Sequence, residues 1–371
     1  MPGFGESFIV LSWAAAFQVV LLGFVGGVLS GFIGSGGAFF MTPGMMNLGV
    51  PGVVAVGSNI THKFGKAMMG SKKHAEMGNV DKKLGVFLIL TSAAGIRLAV
   101  HVNSMLFAGG AGKGAAKSAA ADLYISGVFV SVLSLVAVSI LRDAWRSRQE
   151  EGEGPSLRIA EWLSGLRLFP MISFPVADVK VSLWILLIVG LATGYMAGTI
   201  GVGGFIGVPA MIYVFGVPTT VAAGTELFLA MFMGAFGALN YVYEGMVDIR
   251  LTLLLYLGSL VGVYLGAYGT KVVKEVMIRV VTGLIILLCV LSRGIAIPIY
   301  LRQLGWVNLP ASWDGAFNAA SKALLFASGI TGVVVILFHV FRAYWQRGKI
   351  HASLTAAACA EGAGRGGSLS P

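Results

Sequence analysis

One short stretch, Gly34-Ser35-Gly36-Gly37, returns later as Gly201-Val202-Gly203-Gly204, and this repetition constrains the chain more than any other feature. From position 34 to position 201 is an offset of 167 residues. The same offset carries Gly23 onto Gly190, Gly27 onto Gly194 and Gly31 onto Gly198. Downstream it carries Gly49-Val50-Pro51 onto Gly216-Val217-Pro218, Gly57 onto Gly224, Gly70 onto Gly237, Gly78 onto Gly245 and Asp81 onto Asp248. A glycine-rich chain produces isolated matches by chance, but not a colinear series that includes Gly-Val-Pro and a lone acidic residue. The chain therefore reads as a duplicated unit, each copy built around a Gly-rich break in an apolar region.

Composition sets the medium in which this unit folds. The 371 residues are 57% hydrophobic and 11% charged, where soluble domains carry about 25% charged residues. Too little polar surface remains to cover a water-soluble core. Apolar stretches of about 20 residues recur along the chain, the length of a membrane-crossing helix. The expected fold is all-α, a polytopic membrane protein of about nine transmembrane helices. Runs such as 183–191 are continuously apolar and lack the period-two alternation of a membrane β-barrel. The net charge of +10 fits a basic excess in cytoplasmic loops. No basic stripe interleaved with aromatics points to nucleic acid. Cys289 and Cys359 are isolated and the 5 histidines scattered, so neither a metal site nor a bound cofactor is expected. No Ser/His/Asp set or paired carboxylates suggest an enzyme, and no P-loop lysine suggests an ATP motor.

Five parts follow from the pattern: a first transmembrane repeat (1–141), a basic linker (142–180), a second repeat (181–291), an interfacial stretch with one extra span (292–346) and a disordered tail (347–371). Within the linker, 157–168 has the pattern of a short amphipathic surface helix. In each repeat the break leads into a short apolar segment, 38–48 and 205–215. Roughly a dozen residues cannot cross a bilayer that needs about 20, so these segments read as half-helices or re-entrant pieces. Asp81 and Asp248, each after Gly-x-Val and just before a span, are expected as helix N-caps. The ladders Gly23–Gly31 and Gly190–Gly198 place glycines on one helix face for close packing. Sidedness stays open between parallel and inverted repeats; only the inverted arrangement brings the basic tail to the same side as 72–83 and the linker.

Unwound backbone inside a membrane is tolerated where it is buried in protein or lines a wet cavity. A Gly-rich break entering a short helix also gathers free N–H groups at the positive end of a helix dipole, which suits an anion. Gly34, Ser35, Gly36 and Gly37 with Gly201, Gly203 and Gly204 are therefore the first candidates for substrate binding. The helices that follow carry the polar groups. Ser58 and Asn59 match Thr225 and Glu226 at the same offset, while His62, Lys63 and Lys66 have no polar counterpart. Ser58, Asn59 and Thr225 join the binding candidates. His62, Lys63 and Glu226 are candidates for attracting an anion or carrying a proton or other coupling ion, because ionisable groups in spans usually face a cavity. Lys66 divides between this role and snorkelling to the interface.

The order Gly-x-x-Gly-x-Gly-Gly, proline, Gly-Val-Pro, a Gly-Ser or Gly-Thr helix, then Gly-x-Val-Asp before a span, given twice, resembles the sulfite exporter TauE/SafE family of permeases. The resemblance covers about 23–141 and 183–291. It implies a secondary transporter in the inner (plasma) membrane for a small sulfur oxyanion or organosulfonate, such as sulfite or sulfoacetate. The long linker, the loop at 103–122 and the extra C-terminal span depart from the family pattern. An anion channel and a scaffold subunit of a membrane redox complex remain as alternatives. The expected partners are the anion and the lipid bilayer, with self-association as a homodimer left open.

Overall fold

The computed structural model describes residues 11–33, 37–109, 115–149, 162, 168–273 and 275–365. The chain is almost entirely helical. The first half contains α1 (Trp13–Ile33), α2 (Ala38–Asn47), α3 (Gly52–Glu76), α4 (Lys82–Ala108) and α5 (Ala115–Gln149). A hairpin of β1 (Met171–Phe174) and β2 (Val179–Ser182), paired antiparallel, leads into the second half. There follow α6 (Leu183–Ile200), α7 (Gly204–Pro209) running into a π-helical turn (Ala210–Val214), α8 (Thr219–Tyr243), α9 (Ile249–Val272), α10 (Glu275–Gln303) and α11 (Trp313–Arg365).

Eight helices among the described residues are long and apolar enough to cross a membrane. The ninth expected crossing, α3, has 25 residues but carries Lys63, Lys66, Lys72, Lys73 and Glu76, which set it apart from the eight. Several elements outrun the bounds read from sequence. α3 runs to Glu76 and carries Lys72 within it. The span expected to stop at 291 continues to Gln303, and α11 begins at Trp313. The interfacial stretch thus contracts to the turn between them. α11 runs to Arg365 and takes in most of the expected tail. The linker's amphipathic segment lies outside the described residues apart from Trp162 and Leu168.

The 167-residue offset reappears in the elements. Applied to Gly52–Glu76 it gives 219–243, the bounds of α8. Local geometry follows it too: Gly49 and Gly216 have φ of +90° and +76°, and Gly78 and Gly245 have +73° and +70°. These are left-handed turns that only glycine adopts without strain. Asp81 caps α4 by accepting from the Leu84 N–H at 3.0 Å, and Asp248 accepts from the Arg250 N–H at 3.0 Å.

Contacts between the halves also come in matched pairs. α1 packs along α9, and α4 along α6. Gly27 faces the Ser259 backbone and Gly194 faces the Ser92 backbone; Gly31 faces Val263 and Gly198 faces Ile96. Both ladders rise in the same direction as their partners, so α1 runs parallel to α9, and α6 to α4. Glycine at these positions lets the backbones touch, since a Cβ on Gly27 would stand 2.6 Å from the Ser259 carbonyl oxygen. The other central pair runs the opposite way. Gly57 lies at Tyr241, Gly237 at Ile60 and Gly70 at Leu227, so α3 and α8 are antiparallel. Likewise Arg293 of α10 reaches Ser126 of α5, whereas Gly283 lies at Leu141. Helices matched by the offset therefore point in opposite directions, which is the inverted arrangement.

That register sorts the helix ends. Lys72, Lys82, Lys83, Arg142, Arg146, Lys180, Arg279 and Arg342 fall toward one end of the bundle. At the other end Arg97, Arg250 and Arg302 each sit beside a carboxylate, Glu244, Asp248 and Asp314 respectively.

Candidate functional site

The inverted packing brings α2, which follows the first break, against the end of α6 at the second break. Asn59, fully buried in α3, donates from Nδ2 to the Ala38 carbonyl at 3.1 Å and to Thr42 Oγ1 at 2.8 Å, both in α2. Thr42 donates in turn to the Ile200 carbonyl at the end of α6, at 3.3 Å. Gly201, left-handed at φ +77°, ends α6, and a Cβ there would come within 3.2 Å of Asn59 Nδ2 and 3.3 Å of Thr42 Oγ1. First-half side chains thus close on the second-half break. Gly37 sits at the start of α2, packed against the Gly26 backbone too closely for any side chain. Gly34, Ser35 and Gly36 lie outside the described residues.

The frayed end of α6 must find partners for its last carbonyls. The Tyr241 hydroxyl donates to the Gly198 carbonyl at 2.6 Å. Asn103 donates to the Thr199 carbonyl at 3.3 Å and to the Tyr241 hydroxyl oxygen at 2.7 Å. With Thr42 on Ile200, three successive carbonyls are held by side chains from three helices. The break is a built feature of the fold.

Two ionisable side chains reach the second break. Lys63 extends from α3 so that its Nζ lies 3.3 Å from where a Cβ of Gly203 would stand. Glu226 of α8 is buried against Gly207 of α7, beside Thr193 of α6. Neither Glu226 carboxylate oxygen has a hydrogen-bond partner, nor does the Thr193 hydroxyl or Asn59 Oδ1. Lys63 and Glu226 are near enough for each to feel the other's charge. Unpaired polar atoms in such a place are expensive, and their clustering marks the centre as something other than packing. Gly203 faces Lys63 Nζ, and Gly204 opens α7.

Three predicted residues stand elsewhere. Ser58 Oγ accepts from the Asp248 N–H at 3.1 Å, and Thr225 Oγ1 accepts from the Asp81 N–H at 3.0 Å. They form a matched pair that ties each broken-helix unit to the capped start of a span in the other half. His62 points to α9, where its Nε2 lies 2.7 Å from Ser259 Oγ and its ring 4.7 Å from that of Tyr256.

One buried charge escaped the sequence reading. Arg293 in α10 donates to Asn47 Oδ1 at 2.8 Å, Ser126 Oγ at 3.0 Å and the Tyr300 hydroxyl at 2.7 Å. It anchors the C-terminal end of α2 to α5 and α10, a favourable place for a cation. The apolar run Ile295–Leu301 beyond it was the available signal that the span continues.

An inverted helix bundle with two broken helices in contact defines the class of the protein: it is a polytopic membrane transporter. The model of the sulfite exporter TauE/SafE family matches residues 19–293, from α1 to the buried arginine of α10, and the chain belongs to that family. It is similar to the probable membrane transporter protein YjnA of Bacillus subtilis (strain 168), 28% identical over 253 residues, covering 68% of this chain and 89% of that protein. Probable membrane transporter protein YdhB of the same organism is 24% identical over 269 residues, 70% of this chain and 93% of the relative. A probable membrane transporter protein of Xylella fastidiosa (strain 9a5c) is 30% identical over 129 residues, 33% of this chain and 45% of its own length. No solved structure matches the chain significantly.

Proposed function

We propose that the protein is a secondary permease for a small anion, a sulfur oxyanion or organosulfonate such as sulfite or sulfoacetate, held where α2 and α3 close on the second break. The observation that carries this reading is Lys63 Nζ at Gly203, with Asn59 and Thr42 beside Gly201. A lysine ammonium and exposed backbone N–H groups give an oxyanion charge-assisted hydrogen bonds, worth about 1.5–3 kcal/mol each in place of water contacts. The substrate class comes from the family, and Lys63 supports its negative charge. Glu226, buried beside Lys63 without a hydrogen bond, is the group placed to couple anion movement to an ion gradient.

The end that gathers Lys72, Lys82, Lys83, Arg142 and Arg146 faces the cytoplasm in this reading, by the basic bias of inner loops. The linker and the C-terminal end of α11 then share that side of the plasma membrane. Uptake into proteoliposomes tests the function. Labelled sulfite or sulfoacetate should enter saturably, and accumulation should respond to an imposed pH or ion gradient. A folded, inserted protein that moves neither anion would sink the substrate assignment.

A further inference from the structure

The short helices after the two breaks occupy matched places but are enclosed to different degrees. Every residue of α2 is buried. In the matched segment, α7 with its π-helical turn, Ile206, Val208, Pro209, Ala210, Tyr213 and Val214 are only half-buried. α2 packs against α1, α3, α10 and α11, whereas α7 and its π-helical turn pack against α6 and α8. α11 begins at Trp313, beyond residue 293 where the family match ends. Its Gly329 lies so close to α2 that a Cβ there would stand 2.5 Å from the Phe40 ring. The far end of α2 joins α10 and α11 through a buried polar network. Asn47 Oδ1 accepts from Arg293 at 2.8 Å, and Asn47 Nδ2 donates to Ser292 Oγ at 3.4 Å. Ser292 Oγ donates to the Ser321 carbonyl at 2.7 Å and Ser321 Oγ to the Ser292 carbonyl at 2.8 Å, which staples α10 to α11. The far end of α7 carries a lighter tie. The Tyr213 hydroxyl donates to the Asp143 carboxylate of α5, and both residues are half-buried. Asn47 matches Val214 and Tyr213 matches Met46, so the two ties are not copies of one another.

We infer that α11 is a brace that holds α2 still, and that α7 is the limb that moves, with the Tyr213–Asp143 hydrogen bond as its latch at the basic end of the bundle. This rests on the transport reading above and names its gate. Latched, α7 lies against α5; released, it swings from α5 and opens Gly203 and Lys63 to water from the end where Arg142 and Arg146 lie. The costs of the two motions differ. Freeing α2 would break the bond to Arg293 inside a fully buried network and leave its polar atoms without partners in a dry interior. Freeing α7 breaks one hydrogen bond between half-buried groups, which turn to water instead. The π-helical turn adds to the contrast. The Phe215 N–H reaches back to the Ala210 carbonyl at 3.3 Å, a widened turn of a kind frequent at functional sites.

Hydrogen exchange of the full-length protein in lipid nanodiscs, read by mass spectrometry and corrected for intrinsic rates, tests the brace and the latch without any substrate. Residues 204–216 should exchange at least about 10-fold faster than the matched residues 37–49, because local opening follows the lighter tie. Tyr213→Phe removes the donor and keeps the ring. It should speed exchange of 204–216 by a further 3–10-fold or so, the worth of about one net hydrogen bond, and leave 37–49 unchanged. Asp143→Asn keeps an acceptor and should act in the same direction but less; it decides the matter should the first variant not fold. Ser321→Ala loosens the staple and should speed 37–49 while 204–216 stays as it was. Equal exchange of the two segments in the natural protein, or Tyr213→Phe acting on both alike or on neither, overturns the latch. Ser321→Ala without effect on 37–49 overturns the brace. A null uptake assay with this exchange pattern intact would count against the proposed function alone, and uptake with equal exchange of both segments against the brace and latch alone.

Discussion

The two breaks share glycines, offset and a proline-containing short helix, yet they are held in different ways. At the first, Asn59 bonds both Ala38 and Thr42, so the start of α2 is pinned. At the second, the end of α6 is pinned by Tyr241, Asn103 and Thr42. The face of α7, by contrast, meets a carboxylate with no hydrogen bond, and a lysine arrives from the other repeat. Duplication has preserved what the backbone needs: glycine at helix crossings, left-handed turns and capping aspartates. The scaffold is matched between the repeats, while at the centre the copies carry unlike groups, Asn59 against Glu226 and Lys63 against Ala230.

The most damaging way to break this comparison is to remove one of the two charges. Lys63→Met should lower kcat/KM for anion uptake by about 10–100-fold, since a charge-assisted hydrogen bond to the anion is worth about 1.5–3 kcal/mol. The double variant Lys63→Met, Glu226→Gln should be more stable than Lys63→Met, because no charge is then left alone. Thermal unfolding in detergent checks the second statement and initial uptake rates the first. Equal stability of single and double variants would mean that the two side chains do not sense each other.

Next in size come the glycine ladders, which test the symmetric part. Gly27→Leu and Gly194→Leu each drive a side chain into a neighbouring backbone. An added Cβ would stand 2.6 Å from the Ser259 carbonyl oxygen in the first case and 2.5 Å from Ser92 Cα in the second. Overpacking of this kind costs about 1–3 kcal/mol, and rigid backbone on the receiving side puts both near the upper figure. The two melting temperatures should fall by similar amounts. A large drop at only one would show that the two halves do not carry equal loads.

Much of this scaffold was legible in the sequence because the 167-residue repeat recorded it twice. Gly27 with Gly194, Asp81 with Asp248, and the half-length segments after each break could all be read from matched positions. What depends on which helix faces which was not legible. Ser58 and Thr225 looked like site residues because polar groups in spans invite that reading, and only the packing reveals their bonds to Asp248 and Asp81. Lys63 and Gly203 are 140 positions apart, and no local pattern predicts that α3 crosses to the second break. The inverted direction of the repeats is likewise a property of contacts such as Gly57 with Tyr241. Arg293 was missed because a Ser-Arg-Gly sequence mimics the end of a span, while its partners Asn47, Ser126 and Tyr300 come from three elements.

A smaller effect sharpens the contrast at the first break. Asn59→Ala removes the side-chain donor to the Thr42 hydroxyl and to the Ala38 carbonyl and should cost about 0.5–1.5 kcal/mol. Transport should fall with it, because Thr42 loses the contact that aims it at Ile200. Asn59→Gln should recover part of both losses.

The smallest expected effect separates scaffold from site. Ser58→Ala removes one acceptor for the Asp248 N–H, and Thr225→Val removes the acceptor for the Asp81 N–H. Each loss of a neutral hydrogen bond is worth about 0.5–1.5 kcal/mol. The two aspartates are otherwise secured differently. Asp248 is clasped by the Arg250 side chain at 3.1 Å and 2.7 Å, and Asp81 accepts from the Val176 and Ala177 N–H groups of the linker hairpin turn at 3.2 Å and 3.0 Å. Both arrangements leave the cap in place when the hydroxyl goes. The variants should therefore lose similar, small amounts of stability and keep uptake within a few-fold of the natural protein. Thr225 is adjacent to Glu226, so it provides the harder test. Uptake abolished by Thr225→Val at unchanged stability would place that hydroxyl in the transport path and end its equivalence with Ser58. The boundary between the conserved frame and the diverged centre would then lie one residue further along α8.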